Sequence, residues 1–169
     1  MKRKLDRLAV DGAFHMTLPG SFNPSFYQHL WQDCDVIYIQ QQTICLALQD
    51  DHQLNVNLLL LALWLDSHHQ RLASSDWQQL QQALLSWEQR LLLPYRKLRR
   101  LSKAVLEQAE YQQMLDVELM LERKSQAKIL IALKPMVLDE VYPAETDSNV
   151  SRYLALFNLN SQDYSSLNQ

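Results

Sequence analysis

The sequence predicts an all-α protein, a single-domain bundle of about six helices with a mobile N-terminal leader and a C-terminal tail. Three observations carry that expectation. Two glycines and five prolines in 169 residues favour helices joined by short connections. Apolar residues recur in steps of three and four, most clearly at Trp77, Leu80, Leu84, Trp87 and Leu91. The stretch 58–65 is a nearly unbroken Leu-rich run, and a helix apolar on every side must be buried on every side. Leu and Ala dominate the run and its flanks lack glycine, which favours helix over a buried parallel strand. It is far shorter than the roughly 20 residues needed to cross a bilayer.

The elements follow in order. Residues 1–22 are expected as a flexible leader, with Pro19-Gly20 marking a turn. A helical core domain is expected over 23–134. Asn23-Pro24 offers a helix start, with Asn as cap and Pro at the first helical position. Asp33-Cys34-Asp35 is expected to interrupt that helix, and Val36 to open the next, which ends at Asp50 with a core stripe of Ile37, Ile44, Cys45 and Leu48. A compact polar hinge follows, in which Asn55 is the expected cap of the core helix. Ser74-Ser75-Asp76 is expected to cap the next amphipathic helix. Pro94 should break or kink it, with helix resuming through Leu98, Leu101, Val105 and Leu106. A long helix is expected over 109–133, ended by Pro135. An acidic linker over 135–147 and a tail over 148–169 complete the chain. The tail carries a short amphipathic helix through Val150, Tyr153, Leu154 and Phe157, open to docking on its own domain or to partner capture.

The hinge and its flanks carry a resemblance. Cys45-Leu46-Ala47-Leu48-Gln49-Asp50, Val56-Asn57-Leu58-Leu59-Leu60 and Trp64-Leu65 resemble an uncharacterised family of proteobacterial proteins of similar length, labelled only as a domain of unknown function. The resemblance continues at Trp87, Pro94, Arg96, Leu98, Arg99 and Arg100 and over 118–123, and covers roughly residues 26–131. It implies a helical fold and no particular activity. Two positions depart from the family pattern, Gln53 where members carry Gly and Asn55 where they carry Asp. The first argues against a tight left-handed turn, because Gln tolerates positive φ poorly. The second removes a charge from any ligand role of the hinge.

Composition narrows the chemistry. A net charge of −3 and a pI near 5.9 give no global push toward nucleic acid or membranes. Lys2-Arg3-Lys4 is interrupted by Asp6, Arg7 and Asp11, so no secretory signal is expected, and the few leader charges support at most weak membrane-surface attachment. Cys34 and Cys45 fit no zinc spacing and read as buried thiols in a reducing cytoplasm. Neither a phosphate-cradling glycine loop nor a Gly-x-Ser-x-Gly elbow occurs. His68 and His69 are adjacent and diverge on a helix by about 100°, a poor chelate. Glu118 and Glu122 lack the His three residues on that a di-iron bundle uses. No catalytic residue, metal ligand or cofactor is assigned.

Two constellations remain as candidate sites. Arg96, Arg99, Arg100 and Lys103 follow i, i+3, i+4, i+7 and place cations along one helix face. That face suits an acidic protein partner or a ribonucleoprotein, or it closes internally on Asp116, Glu118 and Glu122 of the following helix. The leading expectation is therefore a non-enzymatic cytoplasmic adaptor or interaction protein. Gln49, Asp50, Asn55 and Asn57 form the polar hinge between apolar runs. They give the alternative, a small-molecule-binding protein or enzyme with a pocket at the hinge.

Overall fold

The computed structural model describes residues 22–141 and 147–168. The leader expected over 1–22 thus lies outside the described residues but for Phe22, as does 142–146 of the expected linker. Six α-helices occur in order: α1 (Leu30–His52), α2 (Val56–Ser67), α3 (Ser74–Trp87), α4 (Leu93–Ser102), α5 (Gln108–Leu133) and α6 (Asn149–Ala155). Two short strands, β1 (Gln70–Arg71) and β2 (Asp139–Glu140), pair antiparallel, and 3-10 turns over Ser161–Asn168 follow α6. The all-α expectation holds.

The centre is α2. Residues 57–65 are all buried, so the Leu-rich run is the core helix that its composition requires. Each buried Leu there contributes about 1.5–3 kcal/mol relative to exposure. Helices α1 and α6 both run antiparallel to it. Trp64 donates to Asp33 of α1 (3.0 Å), while Tyr153 of α6 meets the start of α2 and Asn149 meets its end.

The start of the fold differs from expectation. Residues 24–29 form turns, Asn23 accepts from the Ser25 N–H (3.1 Å), and α1 begins only at Leu30. It then runs unbroken through Asp33-Cys34-Asp35, because each of the three has a use inside the helix. Asp33 holds the Trp64 indole, Cys34 is fully buried, and Asp35 pairs with Arg123 at 2.8 Å. Of the predicted stripe, Cys45 and Leu48 are buried and Ile37 and Ile44 half-buried.

The turn after α1 is left-handed after all. Gln53 sits at φ 55°, ψ 33° and donates its N–H to the Gln49 carbonyl (3.0 Å). That hydrogen bond satisfies an orphan carbonyl of the helix end, which sustains a conformation Gln otherwise disfavours. Asn55 caps α2 by accepting the Leu58 N–H at 3.0 Å. The cap of α3 is not Ser74 but Ala73, whose N–H is taken by Asp76 (3.2 Å) from inside the first turn.

Pro94 does not break its helix, and the local distortion expected of it takes the form of a wider turn just before it. The chain passes from α3 through a π-helical turn (Glu88–Leu92) directly into α4, and the Leu93 N–H reaches back five residues to the Glu88 carbonyl. The wider turn makes room for a ring that would clash with a regular preceding turn. The resulting long helix folds back on α5 as an antiparallel hairpin. Trp87 donates to Ser125 (2.8 Å) near its base and Tyr95 to the Met114 carbonyl (3.0 Å) farther out. From residue 93 to 120 no side chain is fully buried, so the outer hairpin is a two-helix arm. Helix α4 ends at Ser102, and the expected continuation through Leu106 is turn, with Leu98, Leu101 and Val105 exposed.

The C-terminal helix docks on its own chain. Val150, Tyr153 and Leu154 are buried in the core, and Ser148 caps α6 by accepting the Ser151 N–H (3.1 Å). Asn149, fully buried, donates to Asp66 and to the Gln70 carbonyl (both 2.7 Å) and accepts from Leu72 (3.0 Å). Asp66 also takes the backbone N–H groups of Asn149 and Val150 at the positive end of α6.

Candidate functional site

The polar hinge and the basic helix face, far apart in sequence, line one cleft of about 610 Å³ where the arm meets the body. Helix α1 supplies one wall through Tyr38, Gln42, Leu46, Gln49 and Asp50. Helix α5 supplies the facing wall through Leu115, Glu118, Leu119, Glu122 and Gln126. Val56, Asn57 and Leu60 come from α2, and Arg96, Arg99 and Arg100 from α4. On α1 the lining positions step by three and four, as one helix face must.

A connected side-chain network ties the cleft together. Asn57, 7% exposed, donates to Glu122 (2.8 Å) and accepts from Gln126 (3.0 Å), which satisfies both ends of its amide. Glu122 also accepts from Arg96. Arg96 faces Glu118 (3.6 Å) as well, and Gln49 accepts from Arg96 (3.0 Å) when its amide oxygen faces the guanidinium, the orientation that sets acceptor against donor. Arg99 grips Glu118 with two parallel bonds of 2.6 and 3.2 Å. That contact drives the Arg99 guanidinium still deeper into its charged form, with partial burial working against it and Tyr111 adding to it. Arg123 joins Gln126 (3.0 Å) to Asp35.

A second node lies behind the hinge. Asn55 uses its side-chain oxygen for the α2 cap and its amide N–H for Glu88, the first residue of the π turn. Its backbone N–H and carbonyl both engage the Tyr153 hydroxyl, at 3.1 Å each. Burial raises the Glu88 carboxyl above its ordinary range, against the opposing pull of Asn55 and Arg96. Burial likewise holds the Tyr153 phenol protonated.

The predicted residues thus divide. Gln49, Asp50, Asn57, Arg96, Arg99 and Arg100 meet at the cleft, whereas Asn55 faces Glu88 behind it and Lys103 lies exposed beyond the end of α4, outside the lining. Of the acids on the next helix, Glu118 and Glu122 close on the arginines, while Asp116 accepts from Gln112 (3.0 Å). Sequence reasoning missed Gln126 and Glu88. The first had a signal, since Glu118, Glu122 and Gln126 form an i, i+4, i+8 polar stripe along a partly apolar helix. The second depends on the π turn, for which the sequence carries no periodic sign.

The family described as "Protein of unknown function (DUF2390)" matches residues 29–129, more than half of the chain. The chain belongs to this family. Every residue lining the cleft falls within the matched span, while β2 and α6 lie beyond it. No curated protein and no solved structure matches the chain. Among the described residues, no group of three or more His, Cys, Asp or Glu side chains is placed to hold a metal ion, and no helix is long and apolar enough to cross a membrane.

Proposed function

We propose that this chain is a non-enzymatic binding protein, acting in the cytoplasm, whose ligand occupies the cleft between α1 and α5. The carrying observation is that Gln49, Asp50 and Asn57 share this cleft with Arg96, Arg99 and Arg100. Its volume of about 610 Å³ lies within the usual range for small-molecule sites, and its lining sets charged and amide side chains beside Leu46, Val56, Leu60, Leu115 and Leu119. Binding fits better than catalysis. Of the cleft's carboxylates, Asp35, Glu118 and Glu122 are engaged by arginines, and the remaining one, Asp50, is exposed and has no nucleophile or second acid–base group hydrogen-bonded to it among the described residues. The free, buried thiols of Cys34 and Cys45 are in keeping with a reducing compartment. A thermal-shift panel of small metabolites tests the reading. A ligand present at 100 times its Kd stabilises the fold by about 2.7 kcal/mol. The gain should vanish in Leu119→Arg, which crowds the cleft from an exposed position. A panel without effect, or hits indifferent to Leu119→Arg, counts against it.

A second reading keeps the basic face as the recognition surface of an adaptor for an acidic protein or a ribonucleoprotein. Its support is that Arg100 and Lys103 are exposed and make no ion pair among the described residues. Reversing both to Glu should then abolish capture of the partner while leaving the helical circular-dichroism spectrum unchanged. Capture that survives the reversal removes this reading, and capture that needs intact nucleic acid assigns the partner as a ribonucleoprotein.

A further inference from the structure

We propose that the cleft takes a zwitterionic ligand of the amino-acid or short-peptide class. Its carboxylate sits on Arg100, its ammonium on Asp50, and its apolar side chain between Leu46 and Leu119. The proposal rests on the reading of the cleft as the binding site and adds the ligand's chemistry.

Charge within the cleft selects that chemistry. Four arginines, at 96, 99, 100 and 123, line it together with four acids, Asp35, Asp50, Glu118 and Glu122. Three of the arginines are held by three of the acids, Arg96 and Arg99 by Glu118 and Glu122, and Arg123 by Asp35. Arg100 and Asp50 are left over. Neither side chain makes a hydrogen bond or ion pair among the described residues, and they are not paired with each other. One free cation and one free anion therefore open on the same cavity from α4 and from the end of α1. A polyanion finds a single unneutralised arginine with a carboxylate in the same lining. A cation meets the converse. A dipolar ligand engages both with charge-assisted hydrogen bonds and leaves neither charge facing its own sign.

The walls supply the rest. Leu46 is 40% exposed and Leu119 is 55% exposed, and they belong to the two facing walls of the cleft. Leu60 and Leu115 continue the apolar lining. A leucine-sized side chain covers this surface and removes it from water. The Tyr38 hydroxyl and Gln42 amide also make no side-chain hydrogen bond among the described residues, and they offer a donor and an acceptor to a peptide group.

The test is calorimetric titration of the full chain with leucyl-leucine, with its N-acetyl form and with its C-terminal amide. The free dipeptide is expected to bind, and blocking either terminus to weaken binding about tenfold or more. Asp50→Asn should weaken the free dipeptide and abolish the penalty of acetylation. Arg100→Gln should do the same for amidation. Both positions are exposed, so unchanged melting temperatures certify that the fold is intact. Equal binding of all three forms, or penalties that persist in the two variants, overturns the assignment of the charges. If no dipeptide binds but a singly charged or neutral metabolite stabilises the wild type and not Leu119→Arg, the ligand class is wrong and the cleft reading stands. If nothing binds at all, both fail.

Discussion

Asn55 shows how much a single residue organises. It caps α2, binds Glu88 on the π turn and meets the Tyr153 hydroxyl with both backbone polar groups, so three parts of the chain converge on it. Its role as a cap was legible in the sequence, because Asn before an apolar run has few other uses. Its partners were not, since they lie 33 and 98 residues away. Glu88 carries the pH consequence of this node. Burial raises its carboxyl, so the folded protein holds that proton to a higher pH than the unfolded chain does. The Glu88 contribution is therefore most favourable to folding at low pH, and stability is lost as pH rises from the ordinary carboxylate range, about 4.3, through the folded value. Glu88→Gln keeps the acceptor for Asn55 and cannot ionise. In urea titrations between about pH 4 and 7, the wild type should lose stability relative to this variant as pH rises. Parallel curves would mean that Glu88 is ionised at no cost.

At the scale of elements, polarity and period told the type of each helix better than its ends. Helix α5 lies within a residue of its expected start, and α2 is buried along the run that demanded it. The errors fell where tertiary contacts override local signals. Asp33 and Asp35 read as a break, yet Trp64 and Arg123 make each of them useful inside α1. Pro94 read as a break or a kink, and the π turn before it carries the chain on without a break. The docking of α6 is the element-scale feature that the sequence left open, and it rests on polar locks at both ends of α2. Tyr153→Phe removes one lock while preserving the ring that packs on Trp77. It leaves a buried N–H and carbonyl of Asn55 without that partner and should cost about 1–3 kcal/mol in chemical denaturation. A loss below a few tenths of a kcal/mol would mean that α6 is held by apolar packing alone.

For the whole molecule, the instructive point is convergence. Each candidate site was visible as a pattern of residues, one as an i, i+3, i+4, i+7 run of cations and one as a polar island between apolar helices. That they share a cleft follows from α5 folding back along α4 and presenting Glu118 and Glu122 to both, which no local pattern encodes. The closure of Arg96 and Arg99 on Glu118 and Glu122, and of Arg123 on Asp35, leaves Arg100 and Asp50 as the cleft's unpaired charges among the described residues, and so shifts attention from an electrostatic surface to a cavity. The most direct measurement is hydrogen–deuterium exchange of the full chain with and without a small-molecule extract of cells. The account predicts new protection confined to the second half of α1, the start of α2, residues 96–100 of α4 and residues 115–126. Protection confined to α4 and the following turn, or no change anywhere, would contradict it.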